Sequence, residues 1–120
     1  MKEDVVYNEK KIYSDLNAVE AAAVMKDGHG RDVEGHHYII YAPFGNDMYF
    51  QNGPVKDEGV NGITNESLLA ILVHRTKFLD SKFPCEENKA AIRHMEAALS
   101  ALEARTTNRV LRGVEGSNES

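Results

Sequence analysis

Residues 64–92 read TNESLLAILVHRTKFLDSKFPCEENKAAI, and this stretch decides the fold. Thr64 or Asn65 can cap a helix with Glu66 in its first turn, and the run from Glu66 to Ser81 contains no breaker. That helix should stop near Ser81, because a residue before proline disfavours helical geometry and Phe83 precedes Pro84. A second helix should start near Glu86, where two glutamates suit the positive end of the helix dipole. It should run to about Leu111 and end at Gly113 as C-cap. Ile92, Met95, Leu99 and Leu102 follow a 3-4-3 spacing, the seam of an antiparallel or intersubunit helix pair. The C-terminal half is therefore expected to be a helical hairpin.

Upstream of the hairpin, residues 51–62, QNGPVKDEGVNG, contain Asn-Gly twice, and Pro54 should interrupt any regular element there. Before it, HHYIIYAP and MYFQ are aromatic and β-branched with Phe-Gly-Asn-Asp as the turn between them, so residues 36–51 read as a β-hairpin. VEAAAVM, residues 19–25, has helix-favouring alanines but is short and is followed by DGHG; a strand leading into the hairpin is the preferred reading. The expectation is an α+β chain: a small N-terminal antiparallel β layer, then an antiparallel two-helix hairpin that oligomerises through its helices. As one domain over 1–120 it divides into a mostly β segment (1–50), a turn-rich connection (51–63), the hairpin (64–113) and a flexible tail (114–120).

Composition narrows the function. The chain has 120 residues, is 42% hydrophobic and 28% charged, and carries 14 basic against 19 acidic side chains for a net charge of −5. A domain of this size buries a thin core, which makes oligomerisation a natural supplement. The negative balance argues against nonspecific duplex binding, which needs many Lys and Arg contacts to phosphate. One cysteine, Cys85, excludes an intrachain disulfide and fits a reducing compartment. No apolar run approaches a membrane span, and MKEDVVYNEKK lacks the apolar segment of a signal peptide, so a cytosolic protein is expected.

The chemistry lies in cations placed on helices. Arg105, Arg109 and Arg112 are spaced by four and three, so they share one stripe, where like charges repel by a few tenths of a kcal/mol per pair. Such a stripe asks for solvent, carboxylates or a bound anion. On the first helix Leu68, Ile71, Leu72, Phe78 and Leu79 project in one direction, with Arg75 along the middle of that arc. An arginine facing the core needs an anion, either a carboxylate such as Glu96 or Glu103 or a ligand phosphate held by two parallel hydrogen bonds. Phe78 sits one turn from Arg75 and is a core residue or a stacking plate. Asn88 projects with Met95 and Leu102 and is a satisfied polar group or an amide that reads a purine edge. Together they offer stacking, amide and phosphate-binding chemistry for a nucleotide.

Other motifs point elsewhere or nowhere. His29, His36 and His37 lack the cysteines or the HExxH pattern of a zinc site, so no metal is expected. GHGRDVEG lacks the Gly-Lys-Ser/Thr of a phosphate-binding loop, and no Gly-x-Ser-x-Gly nucleophile or acid/base motif occurs. Cys85, beside Pro84, reads as a packed small residue. No cofactor and no enzymatic activity are expected.

FQNGPVKDEGVNGITNESLLAILVHRTKF, FPCEENKAAI and ARTTNRVLRGVEG, in that order over residues 50–116, resemble the phage-encoded Thoeris anti-defence sponges and the related anti-CBASS cyclic-nucleotide sponges. The N-terminal β layer favours the Thoeris type over the smaller, all-helical anti-CBASS type. The resemblance implies a phage protein of the host cytoplasm that sequesters nucleotide second messengers without degrading them. The ligand it implies is glycocyclic ADP-ribose, with cyclic di- or trinucleotides held by some members at separate sites in a hexamer built from dimers. It places the stacking aromatic on Phe78, the polar recognition residue on Asn88 and a phosphate-contacting arginine on Arg105. Arg109 and Arg112 would belong to a second site around a symmetry axis, and Arg75 to either site or to a subunit interface. FPCEEN departs from relatives in which that segment is often more basic, which would weaken a nearby anion site. The rival reading is a helical module whose arginines pair with an acidic protein partner.

Overall fold

The computed structural model describes residues 8–112, so Gly113 and the tail at 114–120 lie outside the described residues. Four strands, β1 (Asn8–Ser14), β2 (Glu20–Lys26), β3 (His37–Tyr41) and β4 (Gly45–Tyr49), form one antiparallel sheet in the order β1-β2-β3-β4. Three helices follow, α1 (Val55–Glu58), α2 (Asn65–Lys82) and α3 (Glu86–Leu111). The expected α+β architecture is observed. Contacts divide the described residues into a β unit, which includes residues 60–62, and a helical unit containing residues 53–59 and 63–112.

In the β unit the alanine-rich stretch is indeed a strand. Alanine favours helix by only a few tenths of a kcal/mol per residue, and pairing on both sides outweighs that preference. β2 is hydrogen-bonded to β1 along one edge and β3 along the other. Ala22, Ala23 and Val24 are consecutively buried in this central strand, and Ile39, opposite Ala22, completes the small core. β1 is exposed throughout and bulges twice against β2, which bends this edge of the sheet.

The β3–β4 turn differs from expectation: Gly45, Asn46 and Asp47 belong to β4, and the turn is Ala42, Pro43 and Phe44. The Asn46 amide is the reason. Its Nδ2 donates to the carbonyls of Ala42 (3.0 Å) and Phe44 (2.9 Å), closing the turn from within the strand.

A second departure lies in residues 51–62. Pro54 does not interrupt regular structure but starts α1 as its N-cap, where its fixed φ is already suitable. The flanking Asn-Gly pair is a clip within the β unit. Asn61 Oδ1 accepts from the Asn52 N–H (2.8 Å), Asn61 Nδ2 donates to the Asn52 carbonyl (2.7 Å), and the Asn61 N–H donates to Gln51 Oε1 (3.0 Å). Gly62 must be glycine here, because a Cβ would lie 2.4 Å from the Phe50 carbonyl carbon and 2.7 Å from the Gln51 nitrogen.

The helical unit follows the expected boundaries. Thr64 caps α2 in a reciprocal capping box with Ser67, and α2 ends before Pro84 with Phe83 as C-cap. The α3 seam of Ile92, Met95, Leu99 and Leu102 is at least half-buried as expected, and it continues through Thr106 to buried Arg109.

The α2 face is only partly the expected one. Leu68 and Leu79 are half-buried, but Glu66, Leu69, Val73, Thr76 and Asp80, at 3-4-3-4 spacing, turn inward, whereas Ile71 is 62% and Phe78 54% exposed and Leu72 and Arg75 are exposed. Polar crosslinks at the two ends fix this rotation: Thr106 Oγ1 donates to Glu66 Oε2 (3.0 Å), and Lys89 Nζ pairs with Asp80 (3.2 Å). Helical periodicity pointed to the arc through Ile71 and Phe78; contact with the partner helix turned the stripe through Val73 inward instead.

Candidate functional site

The turn joining α2 to α3 is built by polar side chains. Asp80 Oδ1 accepts from the Cys85 N–H (3.1 Å), and Cys85 Sγ in turn accepts from the Asn88 N–H (3.4 Å) as N-cap of α3. Cys85 is therefore exposed and capping, not a packed small residue as expected. A Pro-linked residue just before a helix presents its sulfur to the first free N–H groups, and packing has no part in it. The Cys85 N–H, followed by the Lys89 ammonium and the Asn88 amide, holds the Asp80 carboxyl below its ordinary value of 3.8.

A depressed carboxyl stabilises the fold above its unfolded pKa and loses that effect as pH falls through the lowered folded value. Asp80→Asn should therefore melt below wild type at pH 7, and the gap should close as pH falls below 3.8. Thermal melts of both proteins between pH 7 and pH 2.5 measure this, and a gap independent of pH would contradict it.

Around this turn stand two of the expected ligand residues. Phe78 is exposed on α2, with the Lys82 ammonium 5.6 Å from its ring centroid. Asn88 is half-buried in the first turn of α3, and its Nδ2 lies 3.5 Å from the Phe83 carbonyl, a weak contact that leaves Oδ1 to accept. Lys82 is a cation beside Phe78 that the sequence reading passed over. Its spacing of four from Phe78 was the available signal.

The arginines do not form one exposed stripe. Arg105 and Arg112 are exposed, the latter as C-cap of α3, but Arg109 is only 8% exposed because it continues the α3 seam one turn beyond Thr106. Arg75, exposed, needs no buried carboxylate, and Glu96, one of its expected partners, pairs with Lys77 at 2.9 Å.

Asn88 and Arg105 are 17 residues apart on the continuous helix α3, which at 1.5 Å per residue places them about 25 Å apart. One chain therefore brings Phe78 and Asn88 to the closed end of the hairpin and Arg105 toward its open end.

A cleft unforeseen in the sequence lies in the β unit. Its volume is about 430 Å³, and Asp27, Arg31, His36, Tyr49, Asn52 and Asn61 are among the residues lining it. The three histidines that drew attention as metal ligands all line it; among the described residues no cluster of three or more His, Cys, Asp or Glu could hold a metal ion. His37 is buried, with Nε2 2.8 Å from Asp47 Oδ1 and its ring stacked on Tyr49 at 4.3 Å. No helix among the described residues is long and apolar enough to cross a membrane.

Comparison with known proteins bears on the hairpin and its approach. The chain is 48% identical over 71 residues to Thoeris anti-defense 1 of Bacillus phage SBSphiJ7, an alignment covering 58% of this chain and 50% of that protein. The chain thus spans about half the length of the curated relative it matches. Residues 45–107, more than half of the chain, match the family described as Acb2/Tad1, hairpin domain, and this range contains Arg75, Phe78, Asn88 and Arg105 while Arg109 and Arg112 lie just beyond it. The chain belongs to the Acb2/Tad1 hairpin-domain family.

Proposed function

We propose that this protein binds and sequesters cyclic nucleotide second messengers, glycocyclic ADP-ribose foremost and cyclic di- or trinucleotides at separate sites, and leaves them intact. Acting in the cytoplasm of an infected bacterium, it would keep the signal from its effector and so block Thoeris and CBASS defence. The observation that carries this reading is that the family segment holds an exposed aromatic, Phe78, on α2 and an amide, Asn88, on α3, on either side of the hairpin turn. The relative's name supports an anti-defence role.

In this reading Phe78 stacks on the base, Asn88 Oδ1 and Nδ2 read its edge, and Arg105 holds a phosphate with its planar guanidinium. Because about 25 Å separates Asn88 from Arg105, no single hairpin closes both onto one small nucleotide. Two hairpins placed antiparallel would bring the closed end of one to the open end of the other, giving two equivalent sites per dimer. The exposed apolar arc of α2, Ile71 and Leu72 with Arg75 between them and Phe78, supports such self-association and its extension to a hexamer. Arg109 and Arg112, near the open end of the hairpin, would serve a second site around the symmetry axis.

The test is retention. Purified protein is incubated with glycocyclic ADP-ribose or with a panel of cyclic di- and trinucleotides, freed of unbound ligand, heat-denatured and assayed chromatographically. Recovery of intact nucleotide only after heating is expected, together with a raised Tm in the complex. Recovery of cleaved product would make the protein a hydrolase. Retention of nothing would favour the alternative, a helical module that pairs its arginines with an acidic protein.

A further inference from the structure

The cleft of the β unit shares no residue with the hairpin site, and its chemistry is specific enough to name a ligand class. Its 430 Å³ is at the small end of ligand pockets, the size of one nucleotide rather than of a cyclic dinucleotide.

Three of its groups are fixed with hydrogen-bonding capacity left over. Asp27 locks the β2–β3 loop: Oδ1 accepts from the N–H groups of His29 (2.8 Å) and Arg31 (2.9 Å), and Oδ2 accepts from Arg31 Nε (2.8 Å). The bond from the Arg31 backbone N–H is the main reason the Asp27 carboxyl falls to about 2, so it is ionised at neutral pH and holds the guanidinium in one orientation. The terminal amino groups of Arg31 meet no acceptor among the described residues, and its side chain is 73% exposed.

Asn52 is held by its backbone, through both bonds to the Asn61 amide, and its own side-chain amide is unused among the described residues. His36 stands 3.0 Å through Nδ1 from the Gln51 carbonyl, which can only accept; Nδ1 therefore carries hydrogen and the neutral ring has its lone pair on Nε2. Tyr49, about half exposed and backed by buried His37, supplies an aromatic wall that its stacking keeps in place.

We propose that this cleft is a second binding site, for a purine nucleoside monophosphate. The ring stacks on Tyr49, the Asn52 amide and His36 Nε2 pair with its edge, and the terminal amino groups of Arg31 hold the phosphate. A lone anion would use only Arg31, and a neutral nucleoside would leave Arg31 idle. The guanidinium, imidazole and phenol ring are held before binding, which keeps the ordering cost low.

Equilibrium dialysis of the full chain against AMP, adenosine and inorganic phosphate tests this, using wild type and the Phe78→Ala/Asn88→Ala double variant, in which the hairpin site is disabled. The expected result is saturable AMP binding, one per chain, with equal affinity in both proteins. Adenosine should bind at least about tenfold more weakly and phosphate should not saturate, as loss of charge-assisted hydrogen bonds requires. Arg31→Lys and Asn52→Ala should each weaken AMP about tenfold, the latter with Tm unchanged, since Asn52 stabilises the clip through its backbone alone. Failure of wild type to retain AMP at millimolar concentration overturns the proposal. So does AMP binding that vanishes in the hairpin double variant, or that is indifferent to both cleft substitutions. The hairpin function is judged separately, by retention of cyclic nucleotides.

Discussion

Phe78→Ala/Asn88→Ala chains and Arg105→Ala chains, each unable to hold glycocyclic ADP-ribose alone, should regain retention when unfolded and refolded together. The expectation rests on length. Arg105 lies about 25 Å along α3 from Asn88, so the proposed site would take plate and amide from one chain and the cation from its neighbour. Removing a stacking aromatic costs about 1–3 kcal/mol, and losing hydrogen bonds to a charged group costs about 1.5–3 kcal/mol, so either lesion weakens binding roughly 10- to 100-fold. In a mixed dimer both lesions fall on the same one of two sites, and the other is intact. Statistical mixing then restores about one quarter of wild-type capacity. Heat-released nucleotide, measured against each variant refolded alone, gives the answer; no recovery above the separate variants would place all three residues in one chain's site or deny them a shared one.

Gly62→Ala should be the most damaging single-atom-group addition in the β unit. Its Cβ would sit 2.4 Å from the carbonyl carbon of Phe50 and 2.7 Å from its oxygen, and backbone atoms cannot rotate away as a flexible side chain would. Overpacking of this kind costs about 1–3 kcal/mol or more, and relief requires residues 60–62 to lift from residues 50–52. The Asn61 clip would open with them. A Tm lowered by about 10 °C or more is expected, since each kcal/mol shifts a domain of this size by about 4–8 °C. Asn61→Ala provides the comparison. It breaks the three clip bonds without a clash and should cost less, because the freed groups of Asn52 and Gln51 are exposed enough to meet water. Equal melting temperatures for wild type and Gly62→Ala would show that the close approach is not maintained in solution.

Much of this protein follows from local rules that need no partner. The α2 and α3 boundaries come from a capping Thr64, a Pro84 that stops the first helix and glutamates that open the second, all acting within a turn of chain. The apolar spacing of Ile92, Met95, Leu99 and Leu102 fixed one side of the hairpin, since α3 has a single continuous stripe. The aromatic and β-branched run before Pro43 fixed β3, and the ordered motifs from Phe50 onward carried the family. Tertiary structure decided what local rules left degenerate. α2 carries two stripes, and the bonds from Glu66 to Thr106 and from Asp80 to Lys89 chose Val73 over Ile71 as the buried one, exposing Phe78 and Arg75. On α3 the seam runs on to bury Arg109 and leaves Arg105 outside, separating cations that their spacing had grouped. The cleft was invisible for a related reason: Asn52 and Asn61 read as two turns, and only a glycine small enough for one backbone to touch another joins them into a wall.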